Sequence, residues 1–251
     1  MEIDDHTPDD TTGFPPDDTT GRAPDHTSGH TSGHAPGLAA LARDALRLTT
    51  GTAGRPRTLL GIAGPPGAGK STFARALVET IGESAAYLPL DGFHLSNDQL
   101  ERLSLTSRKG SEPSFDVRGY VALLTRVLDD TGHDIYVPDY DRTLHEPIAA
   151  RHRVPPTARI VVTEGNYLAC DLPGWREARE LMAECWYVRA PAEVRQQRLV
   201  ERQLAGGLTA EGAAAWVATN DGPNGELVEK SRHRCDRIVS TIGMDMFNYR
   251  P

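Results

Sequence analysis

The feature that most constrains this chain is the pattern G-x-x-x-x-G-K-S, which runs from Gly64 to Ser71 between two apolar-patterned segments. Its glycines permit the backbone turns that point successive N–H groups toward an anion. Lys70 adds a positive charge for the β- and γ-phosphates of a nucleotide, and the Ser71 hydroxyl can ligate Mg²⁺. An apolar run at 57–63 precedes the loop and an amphipathic helix pattern follows it, so the helix N-terminus also faces the anion. The sequence therefore predicts a phosphate-binding loop of the Walker A type.

We expect this loop to bind ATP together with Mg²⁺. The predicted nucleotide contacts are the loop and the first residues of the helix behind it, namely Gly64, Pro65, Pro66, Gly67, Ala68, Gly69, Lys70, Ser71 and Thr72.

The N-terminal segment differs in composition from the rest of the chain. Residues 1–37 contain eight acidic side chains and one basic residue, Arg22, so −7 of the formal net charge of −8 falls here. Short repeats and few apolar side chains leave little surface to bury, and we expect 1–37 to be a disordered acidic low-complexity tail. Metal capture by its four histidines is the alternative to a plain solvated tail. Residues 38–251 are expected to form one domain.

Composition also limits location and partners. The near-neutral remainder offers no basic face for nucleic acid, and no apolar run is long enough to cross a membrane. The N-terminus lacks the basic and apolar regions of a signal peptide. Cys170, Cys185 and Cys235 are too widely spaced for a disulfide framework or a zinc pattern. We expect a cytoplasmic protein with no nucleic-acid or membrane partner, and a homodimer is left open.

Apolar runs alternate with helical patterns after the loop, which is typical of a doubly wound parallel sheet. Pro89 cannot donate to a neighbouring strand, so its run is expected at an edge of the sheet or as a short strand. We predict an α/β fold, the three-layer doubly wound P-loop NTPase fold, with a mainly parallel sheet. The predicted strands are 57–63, 86–90, 134–137, 158–163, 185–189 and 237–240. The predicted helices are 71–81, 96–104, 117–129, 175–183, 191–204, 209–219 and 224–232.

Two carboxylates follow predicted strands, at the edge where such folds bind ligands. Asp91 could orient an acceptor hydroxyl and take its proton, or it could be a turn aspartate before Gly92. Glu164 ends an apolar run, which is the position of a Walker B acid that assists Mg²⁺.

Three arginines, Arg195, Arg198 and Arg202, are spaced so that they share one face of a predicted helix. They could form a solvated stripe. Alternatively, the glycine pair at 206–207 favours a short helical lid, about 195–222, that brings arginines onto the phosphates.

Two polar loops complete the set of candidates. Asp116 opens a predicted helix and could be its N-cap. The second loop, 137–145, contains Tyr140 and His145, and a histidine in such a position is more often a surface residue than a functional one.

Together these segments resemble the uridine kinase, phosphoribulokinase and pantothenate kinase group of P-loop kinases, over about 57–240. Only the first of the motifs is specific alone, but five in the family's order are specific together. The motifs are Gly64–Ser71, Asp91-Gly92-Phe93, Lys109-Gly110 with Phe115-Asp116, Pro138-x-Tyr140-Asp141-x-x-x-His145, and Glu164-Gly165.

The resemblance implies that Asp91 is the general base and that Glu164 assists Mg²⁺. It also implies that Lys70, with Arg198 or Arg202, contacts the transferred phosphate. The acceptor would be a small molecule with a hydroxyl group. Residues of the motifs would contact it, namely Asp91, Phe93, His94, Lys109, Asp116, Tyr140, His145 and Asn166.

The Asp-Gly-Phe-His, Arg-Lys-Gly and Glu-Gly-Asn-Tyr segments are most similar to the branch labelled nucleoside/nucleotide kinase-like or fructose transport system kinase. We therefore expect an ATP-dependent kinase whose acceptor is a nucleoside or a sugar. A pantothenate kinase-like enzyme and a nucleotide-binding regulatory protein with little kinase activity are the alternatives.

Overall fold

A five-stranded parallel sheet forms the centre of the protein, with the strand order β2-β5-β1-β6-β7. We describe it from a computed structural model, which covers residues 36–50 and 56–242. Nearly all of the predicted tail lies outside these residues, so its predicted disorder stays a prediction. The sheet strands are β1 (Thr58–Ala63), β2 (Ala85–Pro89), β5 (Ile160–Glu164), β6 (Glu184–Arg189) and β7 (Arg237–Ser240), and the two further strands are β3 (Ile135–Asp141) and β4 (Glu146–Val154).

Helices cover both faces of the sheet. The described helices are α1 (Leu38–Arg47), α2 (Lys70–Ile81), α3 (Asn97–Arg102), α4 (Val117–Asp129), α5 (Trp175–Glu180), α6 (Ala192–Ala205), α7 (Ala210–Trp216) and α8 (Gly222–Lys230). Side chains alternate between the faces: Leu59 of β1 joins a core with α4 and α5, whereas Leu60 joins a core with α1 and α2. The predicted three-layer α/β fold is confirmed.

Segment 134–137 was predicted to be a strand of the parallel sheet, and the predicted pairing was wrong. This segment is a strand, but it pairs antiparallel with β4 in a separate two-stranded hairpin rather than joining the parallel sheet. The sequence analysis missed β4 because two arginines and a histidine interrupt its apolar pattern, and most of its side chains are partly or fully exposed. Pro89, by contrast, lies on the edge strand β2, as predicted.

Arg57, which precedes β1, is fully buried. Its guanidinium donates to the carbonyls of Val127, Asp130, Pro155 and Ala158 at 2.8–3.2 Å. It therefore joins the end of α4 and the β4–β5 connection to the first strand of the sheet.

Two findings bear on the compositional predictions. The three cysteines are free thiols, although the sulfur atoms of Cys185 and Cys235 lie 3.9 Å apart. Within 36–50 and 56–242, no helix is both long enough and apolar enough to cross a membrane.

Candidate active site

The phosphate-binding loop connects β1 to α2, as predicted. Gly67 has a φ of +76°, and a Cβ there would lie 2.7 Å from the carbonyl oxygen of Arg195. Only glycine combines this backbone angle with such a close approach of the next helix. The loop thus folds tightly beneath α6, and its amides surround the start of α2.

Lys70 is buried at the base of the loop. Its Nζ donates to the carbonyl oxygen of Pro65 at 3.1 Å and to Oδ1 of Asn166 at 2.6 Å. Burial lowers the pKa of Lys70 to about 8, although the negative charges of Glu164 and Asp91 oppose this shift. Among the described residues no carboxylate oxygen lies within 4.0 Å of this ammonium, whose two partners are uncharged oxygens.

Glu164 ends β5 beside the loop, in register with Pro89 of β2 and Ile62 of β1. Its Oε1 accepts hydrogen bonds from Ser71 Oγ at 2.9 Å and from Tyr87 Oη at 2.8 Å. Burial, together with the nearby charge of Asp91, raises the pKa of Glu164.

The pair Ser71 and Glu164 fits a magnesium site. Hydroxyl and carboxylate oxygens are the ligands that Mg²⁺ prefers, and here they lie together beside the phosphate-binding loop. A cation in this position would also offset the cost of keeping the buried Glu164 carboxylate charged.

Asp91 lies in a 3₁₀ turn, Leu90–Phe93, directly after β2. The next residue, Gly92, allows the β3–β4 hairpin to approach, because a Cβ there would lie 2.4 Å from the Pro138 carbonyl. The Asp91 side chain is 32% exposed, and its Oδ2 lies 3.6 Å from Nη2 of Arg142 in the hairpin turn. Its charge acts on both Lys70 and Glu164, so Asp91 faces the phosphate-binding loop.

Beyond Asp91 lies a second group of side chains. The His94 ring stacks on Phe115 with a centroid distance of 4.1 Å, and the Tyr140 ring is 4.9 Å from it. Burial lowers the pKa of His94 to about 4, and the charges of Lys109 and Arg142 lower it further. His94 is therefore a neutral, aromatic part of this wall at neutral pH.

Lys109 lies beside the same wall, with Nζ 5.3 Å from the Tyr140 ring centroid. The ammonium donates to Oδ1 of Asn97 at 2.5 Å and to the carbonyl oxygen of His145 at 2.6 Å. Its own carbonyl accepts a hydrogen bond from Asn220 at 2.8 Å. Both ends of this residue are thereby fixed in place.

Some predicted contact residues take other roles in the structure. Asp116 is exposed and caps α4 by accepting from the Gly119 amide at 2.8 Å, which was the alternative interpretation of its position. Phe93 is half-buried and packs against the core, with its ring centroid 5.2 Å from that of Tyr120. Asn166 contacts Lys70 and so lies on the phosphate side.

His145 also departs from its predicted role. Its side chain is exposed and its φ is +54°, at the tight turn of the hairpin. Its carbonyl oxygen, which accepts from Lys109, is the part of this residue that reaches the site.

The helix α6 brings the predicted arginines over the loop. Nη1 of Arg198 donates to the carbonyl oxygen of Gly67 at 3.2 Å. Desolvation and the charge of Arg142 lower the pKa of Arg202, while Asp91 and Glu164 oppose this. Arg202 is an exposed residue whose guanidinium remains charged, so both arginines provide positive charge beside the loop.

Sequence reasoning missed three contributors to the site, namely Tyr87, Asn97 and Arg142. Arg142 stands inside the Tyr140–His145 motif, so a cation within a substrate loop was a signal that could have identified it. Tyr87 and Asn97 gave no local signal, because Tyr87 bonds to Glu164, 77 residues away, and Asn97 bonds to Lys109, 12 residues away.

A glycine-rich loop with a buried lysine, an adjacent Ser–Glu pair and an aspartate after the neighbouring strand define a P-loop protein of the kinase type. No family model matches the chain. Individual proteins do. It is 37% identical to the uncharacterized protein YggC of Escherichia coli over 188 residues, which cover 73% of this chain and 77% of that protein.

A Schizosaccharomyces pombe protein named "Putative uridine kinase C227.14" is 34% identical over 197 residues, covering 74% of this chain and 84% of the relative. Among solved structures, one named "putative fructose transport system kinase", from Silicibacter sp., superimposes with a TM-score of 0.74 and 33% identity. That match covers 81% of this chain and 98% of the other. The chain belongs to the family of P-loop kinases that contains these proteins.

Proposed function

We propose that this protein is an ATP-dependent kinase that transfers the γ-phosphate of ATP to a hydroxyl group of a small metabolite, a nucleoside or a sugar. The observation that supports this most directly is the place of Asp91. This residue follows the end of β2, whose Pro89 is in register with Glu164, and its charge acts both on Lys70 of the loop and on His94. A base between two binding sites is the arrangement that phosphoryl transfer to an organic hydroxyl requires.

On the phosphate side, binding and charge neutralisation follow from the contacts described. The loop amides and Lys70 would bind the β- and γ-phosphates, and Arg198 and Arg202 would approach them from α6. Ser71 and Glu164 would hold Mg²⁺, which when bound neutralises charge on the phosphates. Because Lys70 is buried, its charge is weakly screened and acts strongly on the anion.

On the acceptor side, Asp91 would accept a hydrogen bond from the acceptor hydroxyl and take its proton as the new P–O bond forms. Arg142, at 3.6 Å from Asp91 Oδ2, is near enough to orient this carboxylate while leaving an oxygen for the substrate. The stacked His94 and Phe115 rings offer a flat apolar wall for the carbon skeleton. Such positioning supplies much of the rate enhancement in phosphoryl transfer.

The test is the variant Asp91→Asn, compared with Asp98→Asn at an exposed position of α3. ATP consumption is first screened against nucleosides, ketoses, polyols and pantothenate to find an acceptor. Asp91→Asn should then retain ATP binding and lose about 10²-fold or more in turnover, the usual scale for a positioned base. Asp98→Asn should behave as the unmodified protein.

Other outcomes identify the alternatives. Near-normal turnover of Asp91→Asn would remove Asp91 from the role of base. Consumption of ATP with pantothenate alone would favour a pantothenate kinase-like enzyme. Tight ATP binding without phosphorylation of any acceptor would favour a nucleotide-binding regulatory protein.

A further inference from the structure

We propose that the acceptor carries an anionic group, a carboxylate or a phosphate, and that Arg142 and Lys109 bind this group beside Asp91. The proposal rests on the proposed kinase function and narrows its substrate class. A neutral nucleoside or a neutral sugar would leave Arg142 with only its long contact to Asp91, and Lys109 without a carboxylate within 4.0 Å among the described residues.

Lys109 has the contacts of a cation held for a ligand. An ammonium has three donors, and two of those of Lys109 are used by uncharged oxygens of Asn97 and His145. Within the described residues, no carboxylate oxygen lies within 4.0 Å of its Nζ. Partial burial lowers the pKa of Lys109, and Glu146 only counteracts this from a longer distance. The remaining donor of a charge fixed in this way is available to an anion.

Arg142 is the second cation. Its only carboxylate within 4.0 Å among the described residues is Asp91, at the long distance of 3.6 Å. In the proposed reaction one oxygen of Asp91 binds the acceptor hydroxyl, and the exposed guanidinium of Arg142 keeps donors for a second anion beside its long contact with Asp91. Its planar guanidinium can donate two parallel hydrogen bonds to a carboxylate or a phosphate, which gives geometric as well as electrostatic recognition.

Lys109 is among the charges that act on His94, whereas Arg142 acts both on His94 and on Arg202 beside the phosphate-binding loop. The charges that act most on Lys70 are those of Glu164, Asp91, Arg202 and Arg195. Those that act on His94 are Asp91, Lys109 and Arg142. Asp91 and Arg142 thus border both groups, so an acceptor anion would meet Lys109 and Arg142 while the triphosphate meets Lys70 and Arg202.

The hairpin turn explains how the two cations converge. Arg142 lies at one end of the turn and reaches Asp91, whereas His145, at the other end, gives its carbonyl oxygen to Lys109. The aromatic ring of Tyr140 lies against Lys109 and near His94. An acceptor with its carbon chain along these rings would bring its anionic end to the cations and its hydroxyl to Asp91.

The test uses matched acceptors that differ in charge: glycerol, glycerate and glycerol 3-phosphate, and ribose, ribonate and ribose 5-phosphate. We expect kcat/KM at least about 10-fold higher for an anionic member than for its neutral counterpart, and the carboxylate and phosphate arms identify the group. Arg142→Gln and Lys109→Gln should each lower kcat/KM for that anion by about 10- to 100-fold, mainly through KM, because each removes a charged hydrogen bond. Arg153→Gln, at an exposed arginine of β4 paired with Asp134, is the control and should have no such effect.

A second measurement does not depend on turnover. With Mg²⁺ and a non-hydrolysable ATP analogue bound, calorimetry compares binding of glycerate and glycerol 3-phosphate with that of glycerol, in the unmodified protein and in Arg142→Gln. Preferred binding of an anion that Arg142→Gln weakens supports the proposal, even if no acceptor is phosphorylated and the kinase assignment fails. Neutral acceptors used or bound as well as anionic ones, or equal effects of Arg142→Gln and Arg153→Gln, would overturn it and leave the kinase assignment intact.

Discussion

The two sides of Asp91 are built in different ways. On the phosphate side, one continuous segment supplies most of the contacts, since the loop and the start of α2 lie within 64–72, and the end of β5 adds Glu164. Much of the expected recognition there comes from backbone geometry, which glycine positions determine. Every such protein binds the same triphosphate, so the same local loop structure can bind it in all of them.

The acceptor side is assembled from separated segments. Its side chains come from the turn after β2, the start of α3, the loop near 109–115 and the β3–β4 hairpin. Loops and a small hairpin on a rigid sheet can change without disturbing the core. The phosphate side identifies the class of protein, whereas we propose that specificity for the acceptor depends on long-range contacts of Arg142, Lys109 and their neighbours.

The largest expected effect comes from comparing two substitutions by methionine, one of a lysine on each side of Asp91. Lys70→Met should lower ATP affinity and reduce turnover by about 10²- to 10³-fold, because it removes a preorganised charge from the transferred phosphate. Lys109→Met should leave ATP affinity within about twofold, since it lies on the acceptor side, and should raise only the acceptor KM. ATP titration and steady-state kinetics measure both. Equal losses of ATP affinity in the two variants would show that ATP binding is not confined to the phosphate side.

The sequence could predict most of the parallel sheet because its strands are short buried runs followed by recognisable helix starts. The boundaries of α4, predicted as 117–129, coincide with the observed Val117–Asp129. The loop at Gly64–Ser71 could also be placed, because its chemistry is local. The lid motion of α6 and the roles of the site residues in catalysis stay predictions.

The rest of the fold and of the candidate site could not be predicted, because it depends on contacts between residues that are distant in sequence. Strand β4 follows no apolar alternation, since most of its side chains contact solvent. Asp116 matched a family motif, but its local position before a helix was sufficient to explain it as an N-cap. No pattern marked Arg57 as buried, because an arginine before a strand is usually exposed.

Arg57 provides a test of the stability of the fold on which both sides of Asp91 depend. Arg57→Met should lower the free energy of unfolding by about 3 kcal/mol, because it leaves buried carbonyls without their donors. Arg159→Met, at an exposed position beside β5, should change it by no more than about 0.5 kcal/mol. Urea denaturation followed by circular dichroism and by tryptophan fluorescence measures both. A loss in Arg57→Met no larger than in Arg159→Met would mean that these hydrogen bonds are replaced by water.

A smaller effect is expected at Tyr87, the only described residue whose side chain both bonds to Glu164 and contacts a ring of the hairpin, that of His152. Tyr87→Phe should raise the Mg²⁺ concentration for half-maximal turnover by about tenfold. It removes the hydroxyl that lowers the pKa of Glu164 and orients its carboxylate. Tyr120→Phe is the matched control, because the hydroxyl of this α4 residue is also buried against β5 but bonds to Thr163 instead of Glu164. Equal Mg²⁺ requirements in the two variants would show that Tyr87 does not position Glu164.

The smallest expected effect is a pH dependence confined to the phosphate side. Because the pKa of Lys70 is lowered to about 8, the free protein loses this charge as pH rises through that value, while bound phosphate would favour the protonated form. ATP affinity should therefore fall by about fourfold between pH 7 and pH 8.5, with uptake of most of a proton on binding at the higher pH. Calorimetry in buffers of different ionisation enthalpy measures both quantities. His94, with a pKa of about 4, does not titrate in this range. Lys109→Met should show the same profile as the unmodified protein, and a flattened profile in that variant would assign the titration to the acceptor side.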